Sequence, residues 1–152
     1  MKLLIVEDNK NKLNQVEEWV KKIYDNIEVH EAISYTSGIR KIYEEDWDLI
    51  LLDMSLPTYD ITPQESGGDK KPTAGKEIMK RMLHRKIITP VIVITQFETF
   101  GENELSINTL NEEFKKSLID VWKGTINYDD TKSTWKVELK TLLTEILGEK
   151  ND

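Results

Sequence analysis

Four short runs rich in Val, Ile and Leu constrain the fold of this chain more than anything else in it: "KLLIV" at 2–6, "IEVHEA" at 27–32, "DLILL" at 48–52 and "PVIVIT" at 90–95. Each is shorter than an ordinary helix, and each reads as a strand buried on both faces. A weaker fifth run is "GTINY" at 124–128. The intervening segments carry apolar residues at helical spacing. Leu13, Val16, Trp19, Val20 and Ile23 share one face after the candidate caps Asn9 and Asn11. Ile39, Ile42 and Tyr43 follow, then Ile78, Met79 and Met82, then Leu105, Leu110, Phe114, Leu118 and Ile119, and finally Trp135, Leu139, Leu142, Leu143 and Ile146. Strand and helix therefore alternate. That is the pattern of a parallel sheet covered by helices on both faces and wound by right-handed crossovers.

The rhythm breaks between Pro57 and Gly75, where "TYDITPQESGGDKKPTA" combines Pro, Gly and charges of both signs with little apolar periodicity. The expectation is one domain over 1–152 with a loop insertion at about 58–74. At 152 residues the chain is long enough for one well-formed core. No run is long and apolar enough to span a membrane, and acids follow the first apolar run where a signal peptide would need small residues, so a cytoplasmic protein is expected. The absence of Cys excludes disulfides and thiolate metal sites. With 28 acids against 21 bases the formal charge is −7, which argues against binding nucleic acid through phosphate contacts.

In an open parallel sheet, ligands bind beyond the carboxyl ends of the strands. The first run ends in Glu7 and Asp8, the third in Asp53 and the fourth in Thr95. Three carboxylates brought together there repel one another unless a cation offsets them, and an oxygen-only donor set selects a hard ion, for which Mg²⁺ fits best. Singly, an acid after a strand is an ordinary cap or turn residue. The conjunction on one edge is what marks a site.

"LLIVEDNKNKL", "DLILLDMSLP" and "PVIVIT", in this order, resemble the site motifs of the response regulator receiver domain. The resemblance implies a flavodoxin-like sheet of five parallel strands in the order 2-1-3-4-5, with helices on both faces. It implies that Asp53 is the phosphoacceptor, that Glu7, Asp8, Asp53 and the main-chain carbonyl of Ser55 bind Mg²⁺, and that Thr95 hydrogen-bonds the phosphoryl group. It further implies a histidine kinase or phosphotransfer protein as donor and a downstream protein as partner, with no nucleic acid and no membrane. The reactions implied are self-phosphorylation from small donors and autodephosphorylation, not those of a dedicated metabolic enzyme. The chain ends at Asp152 soon after the fifth helix, so a single-domain receiver is expected.

The sequence departs from that family at three places. Where the family ends its fifth strand with a Lys, preceded three residues earlier by an aromatic switch residue, "KGTINYDDTK" places Tyr128 and Thr125, or Asp129 and Ile126 on a shift of one residue, and neither register restores the pair. Lys132, or Lys70 or Lys71 from the insertion, are the candidates to replace the Lys. Gln96 stands where a small residue is usual, and the insertion lengthens a turn beside the site. A pseudo-receiver that binds partners without phosphorylation is therefore the second reading. A haloacid-dehalogenase-like phosphatase is disfavoured, because Ser55 stands where that family has a second acid. His30 and His84 read as structural, and one of Trp122 and Trp135 is a candidate exposed anchor for a partner.

Overall fold

The computed structural model describes residues 1–64, 66–96, 99–100 and 105–149. Its elements run β1 Lys2–Val6, α1 Lys10–Ile23, β2 Glu28–Ala32, α2 Tyr35–Glu44, β3 Leu49–Leu52, β4 Leu56–Pro57, β5 Lys70–Lys71, α3 Ala74–His84, β6 Val91–Thr95, β7 Thr99–Phe100, β8 Leu105–Ser106, α4 Ile107–Ser117, β9 Trp122–Asn127 and α5 Thr134–Leu147. The main sheet has the order β2-β1-β3-β6-β9, and every pairing in it is parallel. Counted along the chain, its five strands stand in the order 2-1-3-4-5 of a flavodoxin-like fold, as the sequence implies.

Period-two alternation sorts the strand residues between two cores. Leu4, Val6, Ile50, Leu52, Val91 and Val93 face α2, α3 and α4, where they meet Ile42, Ile78, Met82 and Phe114. Leu3, Ile5, Leu49, Leu51, Ile92 and Ile94 face α1 and α5, under Leu13, Val16, Val20, Leu139 and Leu143. The central strands β1, β3 and β6 are buried on both faces, which is why they read as unbroken apolar runs. Truncating any of these side chains to Ala costs about 2–5 kcal/mol.

The expectation fails at β2, which is an edge strand with only Ala32 buried. Its Glu28, His30 and Glu31 are tolerated because one side of the strand has no neighbour. The insertion is also more ordered than loop chemistry suggests. Its base is a two-rung antiparallel hairpin, Leu56 opposite Lys71 and Pro57 opposite Lys70. The hairpin continues as Thr58 N–H to Asp69 O at 3.0 Å and Tyr59 N–H to Gly67 O at 2.9 Å. Gly67 and Gly68, with φ of +92° and +70°, supply the left-handed backbone of its return. Neither tryptophan is an exposed anchor: Trp122 packs against Phe114 and Trp135 against Tyr128, and both are buried. Among the described residues no helix is long and apolar enough to cross a membrane.

Candidate functional site

The strand order reverses between β1 and β3, so the loops leaving them diverge and open a crevice at their carboxyl ends. Glu7 and Asp8 leave β1 there, and Asp53 leaves β3. One carboxylate oxygen from each of the three lies within 4.8 Å of the others. Glu7 and Asp53 are buried, and Asp8 stands half-buried at the rim.

Local hydrogen bonds fix these side chains. Asp53 N–H donates to Val6 O at 3.0 Å, tying the end of β3 to that of β1. Met54 N–H donates to Asp53 Oδ1 at 2.8 Å and so sets the rotation of the carboxylate. Asn9 N–H donates to Glu7 Oε1 at 3.0 Å. Gly75, at the start of α3, donates its N–H to Met54 O at 2.9 Å. A Cβ there would stand 2.8 Å from Asp53 O and 3.1 Å from the Met54 Cα, so only glycine lets α3 begin this close to the acid.

The buried cation of the site is not one of the three lysines singled out in the sequence, of which Lys70 alone touches a site acid among the described residues. Lys12, in the first turn of α1, is 2 % exposed. Its ammonium lies 2.6 Å from Glu7 Oε2 and 3.5 Å from Asp53 Oδ1. It also donates to Ile94 O at 2.8 Å, at the end of β6. The helix start explains the aim. Asn9 is the N-cap, its side chain accepting from Lys12 N–H at 3.0 Å, so Lys12 is the third helical residue. Side chains on a helix lean towards its N-terminus, which here means back over the carboxyl edge of the sheet. Lys12 also adjoins the buried stripe of Leu13, Val16, Val20 and Ile23. A lysine flanking such a stripe at its N-terminal end was the available signal.

The other lysines go elsewhere. Lys70 reaches only the rim, 3.7 Å from Asp8 Oδ2 and itself 55 % exposed, a contact that solvent weakens. Lys71 pairs with Glu77 at 3.4 Å and lies over the Tyr35 ring. Lys132 is exposed in the turn beginning at Asp129. Tyr128, at the family's Lys position, is buried with its ring 5.0 Å from that of Trp135 and 5.6 Å from the Lys12 ammonium. Thr125 carries no aromatic ring and is held by Asn111 and Trp122. Thr95 ends β6, fully buried, with its carbonyl accepting from Tyr128 N–H at 2.8 Å. Ser55 is buried two residues after Asp53, and Gln96 is exposed beside Asn127 and Tyr128. His30 pairs with Glu28 at 2.6 Å and packs edge-on against Trp47, while His84 closes α3 on the surface.

The site carries excess negative charge. Burial first, and the Asp53 charge second, push the Glu7 carboxyl up to about 8, with Lys12 pulling it back. One buried ammonium among three carboxyl groups leaves room for a further cation in place of the proton that Glu7 otherwise keeps, and the donor set is all oxygen. Both facts fit a hard divalent ion such as Mg²⁺ held by Glu7, Asp8 and Asp53.

Known proteins with this architecture point the same way. No family model matches the chain. The Detocs response regulatory protein DtcB of Enterobacter cloacae is 31% identical over 150 residues, spanning 96% of this chain and 100% of that protein. The uncharacterized protein y4jR of Sinorhizobium fredii is 33% identical over 147 residues, spanning 92% and 95%. Among solved structures, the receiver domain of a Pseudomonas aeruginosa sensor histidine kinase, with magnesium coordinated in its active-site cleft, superposes with a TM-score of 0.64. It is 17% identical, over 97% of this chain and 98% of that one. A five-stranded flavodoxin-like sheet with acids converging at its switch point defines a receiver-type α/β domain. The chain belongs to the response regulator receiver family, whose signalling depends on phosphorylation and two of whose similar solved members are in complex with Mg²⁺.

Proposed function

We propose that this chain is a cytoplasmic signalling receiver in which Asp53 accepts a phosphoryl group from a histidine kinase, a phosphotransfer protein or a small acyl phosphate. The observation that carries this is the convergence of Glu7, Asp8 and Asp53 at the switch point, with Asp53 held in one rotation by Met54 N–H. An Asp53 oxygen attacks phosphorus, the bond to the donor's leaving group breaks, and an acyl phosphate forms on the aspartate. Water later cleaves it to carboxylate and inorganic phosphate. Mg²⁺, when bound by Glu7, Asp8, Asp53 and the Ser55 carbonyl, neutralises charge on the carboxylates and on the incoming oxygens. In this reading Thr95, at the end of the neighbouring strand, hydrogen-bonds the phosphoryl group. The formal charge of −7 supports protein partners, with neither nucleic acid nor membrane among them.

The test is intact-mass measurement after incubation with acetyl phosphate and Mg²⁺. One added phosphoryl group is expected, and it is lost in Asp53→Asn. Absence of the adduct, together with no response to beryllofluoride, would overturn the assignment in favour of a module that binds partners without phosphorylation. The main sequence argument for that second reading was the missing lysine, and a buried lysine does stand in the site.

A further inference from the structure

Lys12 is the one buried cation in contact with the acids among the described residues, and its placement goes beyond what a structural ion pair requires. An ammonium has three donors. Two are spent at short range on Glu7 Oε2 at 2.6 Å and Ile94 O at 2.8 Å. The third contact, to Asp53 Oδ1, is 3.5 Å long. Pairing with Glu7 alone would satisfy the charge, and burying a lysine for that purpose carries a desolvation penalty that an apolar pair avoids. What the position adds is a bridge over the carboxyl ends of β1, β3 and β6, with one loosely engaged donor beside the proposed nucleophile. The strand end from which the family supplies its lysine is filled by Tyr128, whose ring lies against this same ammonium and whose buried hydroxyl has no hydrogen-bond partner among the described residues.

We propose that Lys12, delivered by α1 instead of the fifth strand of the sheet, is the cation that receives the phosphoryl group. The inference rests on Asp53 being the acceptor. Before transfer the Lys12 ammonium holds Glu7 and Asp53 side by side against their repulsion. On transfer the attacking Asp53 oxygen becomes the bridging oxygen of an acyl phosphate, and negative charge moves onto the phosphoryl oxygens. The donor that faced Asp53 Oδ1 then turns to one of those oxygens, while the bonds to Glu7 and Ile94 keep the stem in place. A preorganised buried donor of this kind acts where charge develops and needs little reorganisation.

The experiment compares wild type, Lys12→Met and Lys12→Met/Tyr128→Lys, each checked for folding by thermal melting. Read-outs are the rate of adduct formation with acetyl phosphate and Mg²⁺, the Mg²⁺ dissociation constant, and the shift in melting temperature on adding beryllofluoride. Lys12→Met should bind Mg²⁺ no more weakly than wild type, since a competing cation is gone. Its adduct formation should fall by roughly a hundredfold, and the beryllofluoride shift should vanish. Restoring an ammonium from the strand in the double variant should recover part of the rate. In the wild type, the ¹⁵N signal of the buried Lys12 ammonium should move when beryllofluoride is added, a reading that needs no variant to fold. A Lys12→Met protein phosphorylated at the wild-type rate, or an unmoved ammonium signal, overturns the role of Lys12 alone. A wild type that forms no adduct and ignores beryllofluoride overturns Asp53 as acceptor, and Lys12 falls with it.

Discussion

The hydroxyl of Thr125 on β9 donates a 2.7 Å hydrogen bond to the side-chain oxygen of Asn111 on α4, and accepts one of 3.0 Å from the Trp122 indole. The position that would carry a mobile aromatic ring is instead stitched to the neighbouring helix. Beryllofluoride should therefore leave amide exchange across residues 124–130 nearly unchanged. Strong new protection there would show that this strand does follow the phosphoryl group.

The same stitch predicts a separation of stability from chemistry. Thr125→Val removes both hydrogen bonds and should destabilise the domain by about 1 kcal/mol in urea denaturation. Phosphoryl uptake at Asp53 should be unaffected, because the lost contacts lie on the α4 side of the strand. A parallel loss of uptake would place Thr125 in the signalling path.

Stability of the metal-free protein should fall as pH rises from about 5 to about 8. The Glu7 carboxyl, ordinarily near 4.5, is pushed up to about 8 by burial and by Asp53, with Lys12 opposing. Asp8 also faces it at the rim. Across that window the folded chain holds a proton that the unfolded chain has released, so raising the pH favours unfolding. Millimolar Mg²⁺ should flatten the slope by taking the proton's place, and Asp8→Asn should weaken that effect. Urea denaturation in EDTA and in Mg²⁺ over a pH series reads both. Stability that climbs through the window in EDTA would contradict the prediction.

Gly75→Ala should cost about 1–3 kcal/mol, because its new methyl group would meet main-chain atoms at Asp53 and Met54 and not a side chain that can swing away. The displaced Asp53 should also accept phosphate more slowly. Wild-type kinetics in a destabilised Gly75→Ala protein would show that the acid tolerates a shift of its backbone.

The insertion should resist proteases more than its composition suggests. Ser34, the cap of α2, donates to Asp60 Oδ1 at 2.5 Å. Thr36 donates to Thr58 O through both its main-chain N–H, at 3.0 Å, and its hydroxyl, at 2.6 Å. Asp60→Ala should increase cleavage within residues 58–70 over wild type, with the core melting little changed. Equal cleavage rates would mean that the strand pairing alone holds the hairpin.

What the sequence made legible followed from burial. Strands covered on both faces show as apolar runs, and acids at their ends have to be accounted for, so the central sheet and the triad of Glu7, Asp8 and Asp53 could be read directly. Pairing over only two residues left no such trace. The β4–β5 hairpin has two rungs, too few for a periodic pattern, and its Gly and Pro content reads as loop. Lys12 was hidden for another reason: lysine on a helix is nearly always solvated, and only its place beside the buried stripe of α1, next to a capped helix start, distinguishes it from Lys10. Trp122 and Trp135 misled through position, since residues flanking an edge strand need not be exposed when helices fold over them.

Lys12 on α1 gives the domain an uneven division of labour along its length. Glu7, Asp8 and Lys12 lie within six consecutive residues at one turn, and Asp53 joins them from the end of β3. With the site's ammonium supplied by the first helix, the last strand and helix are relieved of carrying it. Tyr128 and Trp135 instead pack ring against ring, their planes tilted by 50°. The β9–α5 end of the molecule therefore meets the site through the Tyr128 ring, which lies over the Lys12 ammonium.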